Sequence, residues 1–372
     1  MRIALITISF FPKVGGAEFV VHNLAIAWSR QGHDVCVFNP LSESDPGEEL
    51  GYAVRKFRIP FSYFKLPPHL LPFRLYAGRS IKRLLDEFKP DFISAHMGYP
   101  LGVWLGKLEP RPEFLMTCHG RELTNFSWGY RQMYKIDKVL AQTLNESAGA
   151  IAISSQARQL MEEMGVKSER ILDIPNGVDL QRFRKKVNFD FRGQMGIPEG
   201  APVVLSVGRE HPQKAYDDGI KAFARIARKR PDVFYVLLGR GTSKWKPLVE
   251  ELRLQGQVML HEGLSGDELV GAYQQADLFF SPSVWELMPL VVLEALACGL
   301  PMVVTNVSGS RDLIEPDQNG LLVAPRQLDA MAVALDVLIR DKSLRTKMRD
   351  ANMKKSEDFS WDRISKRYID RC

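Results

Sequence analysis

Residues 3–38 read IALITISFFPKVGGAEFVVHNLAIAWSRQGHDVCVF, and this stretch decides the fold. Ile3 to Ile8 is apolar on both faces, as a strand inside a parallel sheet must be, because helices cover such a sheet above and below. A loop with Gly15-Gly16 interrupts it. Val20, Leu24, Ala27 and Trp28 then recur at helical spacing. Gly32 ends that helix, and Val35-Cys36-Val37-Phe38 begins a second apolar run. Strand, crossover helix and strand make a βαβ unit, which builds parallel sheet.

The same grammar extends outward. Phe92-Ile93-Ser94, Phe114 to Thr117, Ala150 to Ile153 and Ile171 to Ile174 read as further strands, with a helical segment over 155–164. From Arg182 to Gly200 the chain turns basic, then polar, with glycines and a proline, and reads as a linker. At Pro202 the pattern restarts with a strand (VVLSV, 203–207), Gly208, a polar loop and a helix over 218–228. Strands follow at Val233 to Leu238, Val258 to His261, Leu278 to Ser281 and Met302 to Thr305. The expected fold class is α/β, with two Rossmann-like, doubly wound parallel-sheet domains facing each other across a cleft, over residues 1–185 and 186–355. Ligands of such sheets bind at the carboxyl ends of the strands.

The totals agree. The 372 residues are 45% hydrophobic and 25% charged, which suits two domains of ~150–190 residues. A net charge of +6 suits anionic partners. No zinc-knuckle spacing, basic helix or RNP-like aromatic strand supports nucleic acid as one of them. Cys36, Cys118, Cys298 and Cys372 are scattered without a C-x-x-C, which fits a reducing compartment and argues against a disulfide framework or a zinc site. The apolar N-terminus lacks a small-residue cleavage site, and no run approaches 18 apolar residues. The expected location is cytoplasmic.

Three loops carry chemistry. Gly15-Gly16, between a strand and a helix, allows backbone N–H groups to approach an anion; a tight turn explains it equally well. It is not G-x-G-x-x-G, which counts against a nicotinamide dehydrogenase. Arg209 and Lys214 follow the first strand of the second half, and two cations there suit a diphosphate, or else are solvated surface charges. Finally WELMPLVVLEALACG (285–299) places Glu286 and Glu294 around a helix, with Pro289 expected at its first position. The helix is otherwise apolar, so Glu294 needs a partner. Ribose hydroxyls or an internal salt bridge both serve. The helix start near Leu290 and Val291 offers free amides to an anion.

In order along the chain stand PKVGGAE (12–18), HGRE (119–122), IPNGVD (174–179), GREHPQK (208–214), the E-x7-E of 286–294 with EALACGLP behind it, and FSWDR (359–363). In this order and spacing the chain resembles the family 4 retaining glycosyltransferases of the GT-B fold. The resemblance implies a donor site in which Gly15 and Gly16 lie under the diphosphate and Arg209 and Lys214 hold its phosphates. Glu294 binds the ribose, Glu286 the transferred sugar, and the backbone near Met288, Pro289, Leu290 and Val291 assists. His119 reaches the sugar, while Asn176 and Asp179 pack. Residues 356–372 form a helix that crosses back to the first domain. Ala215, Met288-Pro289 and Ser308-Gly309-Ser310 depart from the family's usual glycines and Phe-Gly.

The implied reaction moves a hexose-type sugar from a UDP- or GDP-sugar to a glycan, lipid-linked or small-molecule acceptor. Configuration is retained by a same-face mechanism. No D-x-D occurs, and the cationic loop already neutralises the diphosphate, so no metal or other cofactor is expected. Residues 51–85 hold eight Lys or Arg, seven aromatics and no Asp or Glu. This stretch suits an anionic membrane surface, or a basic loop and helix whose apolar residues pack. A sugar-nucleotide epimerase, a phosphorylase and a non-catalytic sugar-nucleotide-binding protein are the alternatives.

Overall fold

The computed structural model describes residues 1–11, 15–41, 51–59, 71–124 and 132–370, the side chains of 71–74 and of Arg121 excepted. The chain divides into two compact units, Met1–Asn176 with Trp361–Cys372, and Gly177–Ser360.

In the first unit β1 (Arg2–Thr7), β2 (Asp34–Asn39), β3 (Ala53–Lys56), β4 (Phe92–His96), β5 (Leu115–Thr117), β6 (Gly149–Ala152) and β7 (Ile171–Asp173) form one sheet. Its order is β3-β2-β1-β4-β5-β6-β7, parallel throughout. Ile3, Ala4, Leu5 and Ile6 are fully buried because helices lie over both faces. The order reverses between β1 and β4, the switch point at which such sheets bind ligands. Thr7, His96 and Thr117 are aligned across β1, β4 and β5 at their carboxyl ends.

The second unit repeats the plan with β8 (Val203–Val207), β9 (Phe234–Leu238), β10 (Val258–His261), β11 (Leu278–Ser281), β12 (Met302–Thr305) and β13 (Leu321–Val323). The order β10-β9-β8-β11-β12-β13 places its switch point between β8 and β11. Ile220, Phe223 and Ile226 on one face of the helix Tyr216–Ala227 pack in the core with Tyr235 and Phe280.

The stretch 182–200 is not a free linker. The helix Leu180–Arg184 is capped by Asp179, whose Oδ1 accepts from the Arg182 amide at 3.0 Å. Phe183 lies edge-on to Tyr273 at 5.6 Å. Arg192 donates to Asp277 at 2.8 Å and to the Gln275 carbonyl at 3.1 Å. Arg192 and Phe183 dock the segment onto the second unit, whose compact body starts at Gly177. The compact body of the second unit ends at Ser360, and the chain rejoins the first unit at Trp361. The helix Trp361–Ile369 is anchored on the first unit, where Trp28 Nε1 donates to the Ser365 carbonyl at 3.1 Å and Tyr368 packs edge-on against Trp28.

Candidate active site

In the second unit the named residues follow strands that flank the switch point. Beyond β8, Arg209 is exposed and makes no hydrogen bond or ion pair among the described residues. Lys214 closes a short turn, Pro212–Lys214, and its Nζ lies 2.7 Å from Glu286 Oε1. That oxygen also accepts from Ser283 Oγ at 2.9 Å, and Oε2 accepts from Gln213 Nε2 at 3.2 Å. Glu286 is 5% exposed and has three donors around it, the partners that a buried carboxyl group requires. Ala215, where the resemblance expects glycine, adopts φ 45° and ψ 45°, the left-handed region.

The loop carrying Glu286 is fixed from β12. The Gly309 amide donates to the Glu286 carbonyl at 3.1 Å, and Ser308 Oγ donates to the same carbonyl at 3.3 Å. A Cβ on Gly309 would lie 2.3 Å from the Leu287 carbonyl oxygen and 2.9 Å from the Met288 nitrogen. Only glycine permits this approach of the two backbones.

The helix Leu290–Ala297 begins one residue later than expected. Pro289 is its N-cap, with ψ 115°, because the chain enters the helix extended. The Leu290 and Val291 amides have no acceptor among the described residues. Met288 and Pro289 are buried behind them. Glu294 makes no salt bridge among the described residues. Its Oε2 accepts from Tyr273 Oη at 2.7 Å, and Oε1 has no partner among the described residues. Burial raises the Glu294 carboxyl above the ordinary range, while the Tyr273 hydroxyl and then the Arg182 and Lys214 charges oppose that rise.

In the first unit Gly15 is the N-cap of the helix Gly16–Arg30, without a side-chain cap. The amides of Gly16, Ala17 and Glu18 find no acceptor among the described residues, and the space beside Gly16 is open. Beneath the loop Glu18 is buried and accepts from Ser9 Oγ. Its Oε2 would lie 2.6 Å from a Cβ on Gly15. Pro12 to Val14 lie outside the described residues.

His119 follows β5. Its Nε2 is 3.0 Å from Nδ1 of His96, whose Nε2 is 3.1 Å from Ser94 Oγ. Burial lowers His119 to about 4, and burial and the neighbouring His119 hold His96 well below the usual imidazole range. The His119 backbone is pinned separately, since Glu122 Oε1 accepts from the His119 and Gly98 amides at 2.8 and 3.1 Å. Cys118 is fully buried, and burial raises its thiol well above the usual range, as suits packing rather than nucleophilic attack.

Two family models divide the chain between them. Residues 14–182 match the model described as Glycosyltransferase Family 4, and residues 187–355 match Glycosyl transferases group 1. The chain belongs to the family 4 glycosyltransferases. An uncharacterised glycosyltransferase of Methanocaldococcus jannaschii is 27% identical over 99% of this chain and 97% of its own length. A D-inositol 3-phosphate glycosyltransferase of Nocardia farcinica is 27% identical over 97% of this chain and 86% of its own. Among solved structures, Anabaena HepE in complex with UDP superposes with a TM-score of 0.81 at 21% identity, covering 100% of this chain and 99% of that one. The fold of this glycosyltransferase is therefore GT-B, built from two parallel-sheet α/β units.

The basic stretch of the glycosyltransferase splits on folding. Phe61, Tyr63, Phe64 and Lys65 lie outside the described residues, as do the side chains of Phe73 and Arg74. Tyr52 and Phe57 are buried in the core. Arg55 lies over the Phe88 ring, and Lys82 and Arg83 pair with Asp86 and Glu87, the acids that follow the acid-free run. Leu75, Tyr76 and Arg79 are exposed on the helix Leu71–Phe88. No helix among the described residues is long and apolar enough to cross a membrane.

Sequence reasoning passed over Ser94, His96, Gln213, Tyr273 and Ser283, and assigned no role to Glu18 or Glu122. Ser94 and His96 carried a signal, two polar residues on one face of an otherwise buried strand. Tyr273 and Gln213 carried none, because only the packing of distant elements brings them to their carboxylates.

Proposed function

We propose that this glycosyltransferase transfers a hexose from a UDP-sugar with retention of configuration and without a metal ion. The observation that carries the reading is the helix start at Leu290–Val291. Its free amides lie in sequence between a carboxylate that is fully held, Glu286, and one that keeps an open oxygen, Glu294. A nucleoside diphosphate sugar needs that set: amides and cations for the phosphates, a carboxylate for vicinal ribose hydroxyls, and a fixed polar group for the sugar. UDP is favoured because the Anabaena neighbour is described with UDP and with UDP-glucose.

In the proposed reaction Arg209, Lys214 and the Leu290 and Val291 amides stabilise negative charge as it develops on the departing diphosphate. Lys214 is already placed by Glu286, so little reorganisation accompanies bond breaking. The sugar passes through an oxocarbenium-like state while a leaving-phosphate oxygen accepts the proton of the acceptor hydroxyl on the same face. On the first unit the Gly16 to Glu18 amides are proposed to meet the diphosphate. His119, uncharged at neutral pH because burial lowers it to about 4, serves the sugar as a hydrogen-bond partner rather than as a cation. With no carboxylate assigned as nucleophile, the diphosphate is its own base. Leu75, Tyr76 and Arg79 support an acceptor at an anionic membrane surface, with the enzyme peripheral on the cytoplasmic face.

The test is a screen of UDP- and GDP-hexoses with release of nucleoside diphosphate as readout, in buffer with and without chelator, and proton NMR of the glycoside formed. An α-donor giving an α-product, undiminished by chelator, is the expected result. A β-product refutes retention, and loss in chelator restored by magnesium refutes metal independence. Isomerisation of the donor without acceptor makes the protein an epimerase.

A further inference from the structure

His96 is buried one shell behind the residues used above, and the proposed reaction leaves it without a task. It is fully buried on β4, as is Ser94 two residues earlier on the same face. The ring centroids of His96 and His119 are 5.3 Å apart with 19° between the planes. That separation equals the 3.0 Å between Nδ1 and Nε2 plus one ring radius on each side. The rings therefore meet edge to edge through one N–H···N hydrogen bond and do not stack face to face. Both imidazoles are uncharged, since burial depresses each.

One proton lies between two neutral rings, so the chain Ser94–His96–His119 has two possible directions. In the first, His96 Nε2–H donates to Ser94, His119 Nε2–H donates to His96, and His119 Nδ1 is bare. The Ser94 hydroxyl hydrogen then has no acceptor, because Ser94 Oγ makes no other hydrogen bond among the described residues. In the second, Ser94 O–H donates to His96 Nε2, His96 Nδ1–H donates to His119 Nε2, and the His119 proton resides on Nδ1. Every donor of the buried pair is then used and only serine lone pairs are left over. An unmade buried donor costs more than an unused lone pair, so the second direction wins.

We infer that Ser94 and His96 are positioning residues that lock His119 in its Nδ1–H tautomer, with that N–H presented outward as a donor. His119 is only partly buried, and its Nδ1 has no partner among the described residues. The Glu122 carboxyl group is engaged by the backbone amides of Gly98 and His119 and by the Cys118 thiol rather than by the ring. The group that His119 meets must supply a lone pair, as a sugar hydroxyl or carbonyl oxygen does, and not a second donor. The tautomer stands on the hydrogen-bond geometry together with the neutrality of both rings; its use in transfer rests on the reading of His119 given above.

Long-range proton–nitrogen NMR of the 15N-labelled full-length protein at neutral pH distinguishes protonated from bare imidazole nitrogens, with His119→Gln providing the assignment. The expected wild-type result is His119 protonated at Nδ1 and His96 also at Nδ1. His119 protonated at Nε2 overturns the inference without recourse to any variant that fails to fold. Ser94→Ala should mix or reverse the His119 tautomer and lower kcat about tenfold at nearly constant donor KM, and Ser94→Thr, which keeps the hydroxyl, should restore both. An unchanged tautomer in Ser94→Ala refutes the role of the serine. A changed tautomer with unchanged kcat refutes the contact of His119 with substrate and leaves the lock itself standing.

Discussion

Replacing Glu294 by Gln separates a carboxylate kept for a ligand from one kept for the fold. Its Oε2 accepts from Tyr273 at 2.7 Å, and Oε1 has no partner among the described residues. Gln keeps the shape and one carbonyl oxygen for Tyr273, but loses the charge and one acceptor. For a ribose the change removes one to two charge-assisted hydrogen bonds, each worth about 1.5–3 kcal/mol. With one lost, the nucleotide dissociation constant rises about 10- to 100-fold. At a UDP concentration one hundred times the wild-type constant, ligand stabilisation of ~2.7 kcal/mol falls to about 0.4–1.4 kcal/mol. In a melt, a shift of about 5–10 °C shrinks to about 1–5 °C.

The unliganded protein should respond in the opposite sense. Burial holds the Glu294 carboxyl above its ordinary value in the folded state. Between the ordinary and the raised value the folded chain binds more protons than the unfolded one, so stability falls as pH rises through that window and stays lower above it. Glu294→Gln lacks that fall. At pH 8 it should be at least as stable as wild type, and the difference between the two should vanish as the pH drops below the window. Melts of both proteins across pH 4–8, with and without UDP and without metal, measure both effects. Destabilisation of the variant by several kcal/mol together with an undiminished UDP shift would make Glu294 a structural residue and sink the donor-site reading.

Gly309→Ala puts a methyl group against the Leu287 carbonyl and the Met288 nitrogen, so the loop carrying Glu286 must move; the expected loss is about 2 kcal/mol of stability, with at least a tenfold fall in kcat/KM, checked by melts and initial rates. An active, fully stable variant would show that the contact is not restrictive. Lys214→Met leaves Glu286 buried without its cation and should cost about 3 kcal/mol, most of it recovered in the double variant with Glu286→Gln; a double-mutant cycle with no coupling would refute the pairing. The protein should co-sediment with anionic but not neutral vesicles at low salt, and Arg79→Glu should weaken this; no binding to anionic vesicles ends the membrane proposal.

What the sequence made legible follows from where its signals are local. β1 and β8 announce themselves because a central parallel strand is apolar on both faces, and the glycines and cations after them mark the carboxyl ends where a switch point binds ligands. β3 is not legible because an edge strand reads AVRK, exposed along most of its length. The fate of the acid-free stretch was equally hidden: whether Phe57 turns inward or Tyr76 outward depends on which helix lies over the sheet, and Asp86 and Glu87, just beyond the stretch, supply partners that its composition excludes.

The same distinction runs through the site. Apart from Glu294, which lies inside its helix, the residues proposed to touch substrate stand at strand ends and helix starts, where a break in an apolar pattern exposes them to a reader of sequence. The groups that hold them come from the faces of other elements. Tyr273, in a helix that opens at Gly266, reaches Glu294, Gln213 reaches Glu286, and Ser94 reaches His119 through His96. A face-on polar residue in a buried element is read from sequence as a packing accident unless its partner is known. Here each such residue sets the charge, orientation or proton position of a group proposed to meet the donor. Tyr273, Gln213 and Ser94 are thus the buried polar side chains that reach groups proposed to meet the donor, and the order of substitution experiments should follow them from Tyr273 to Ser94.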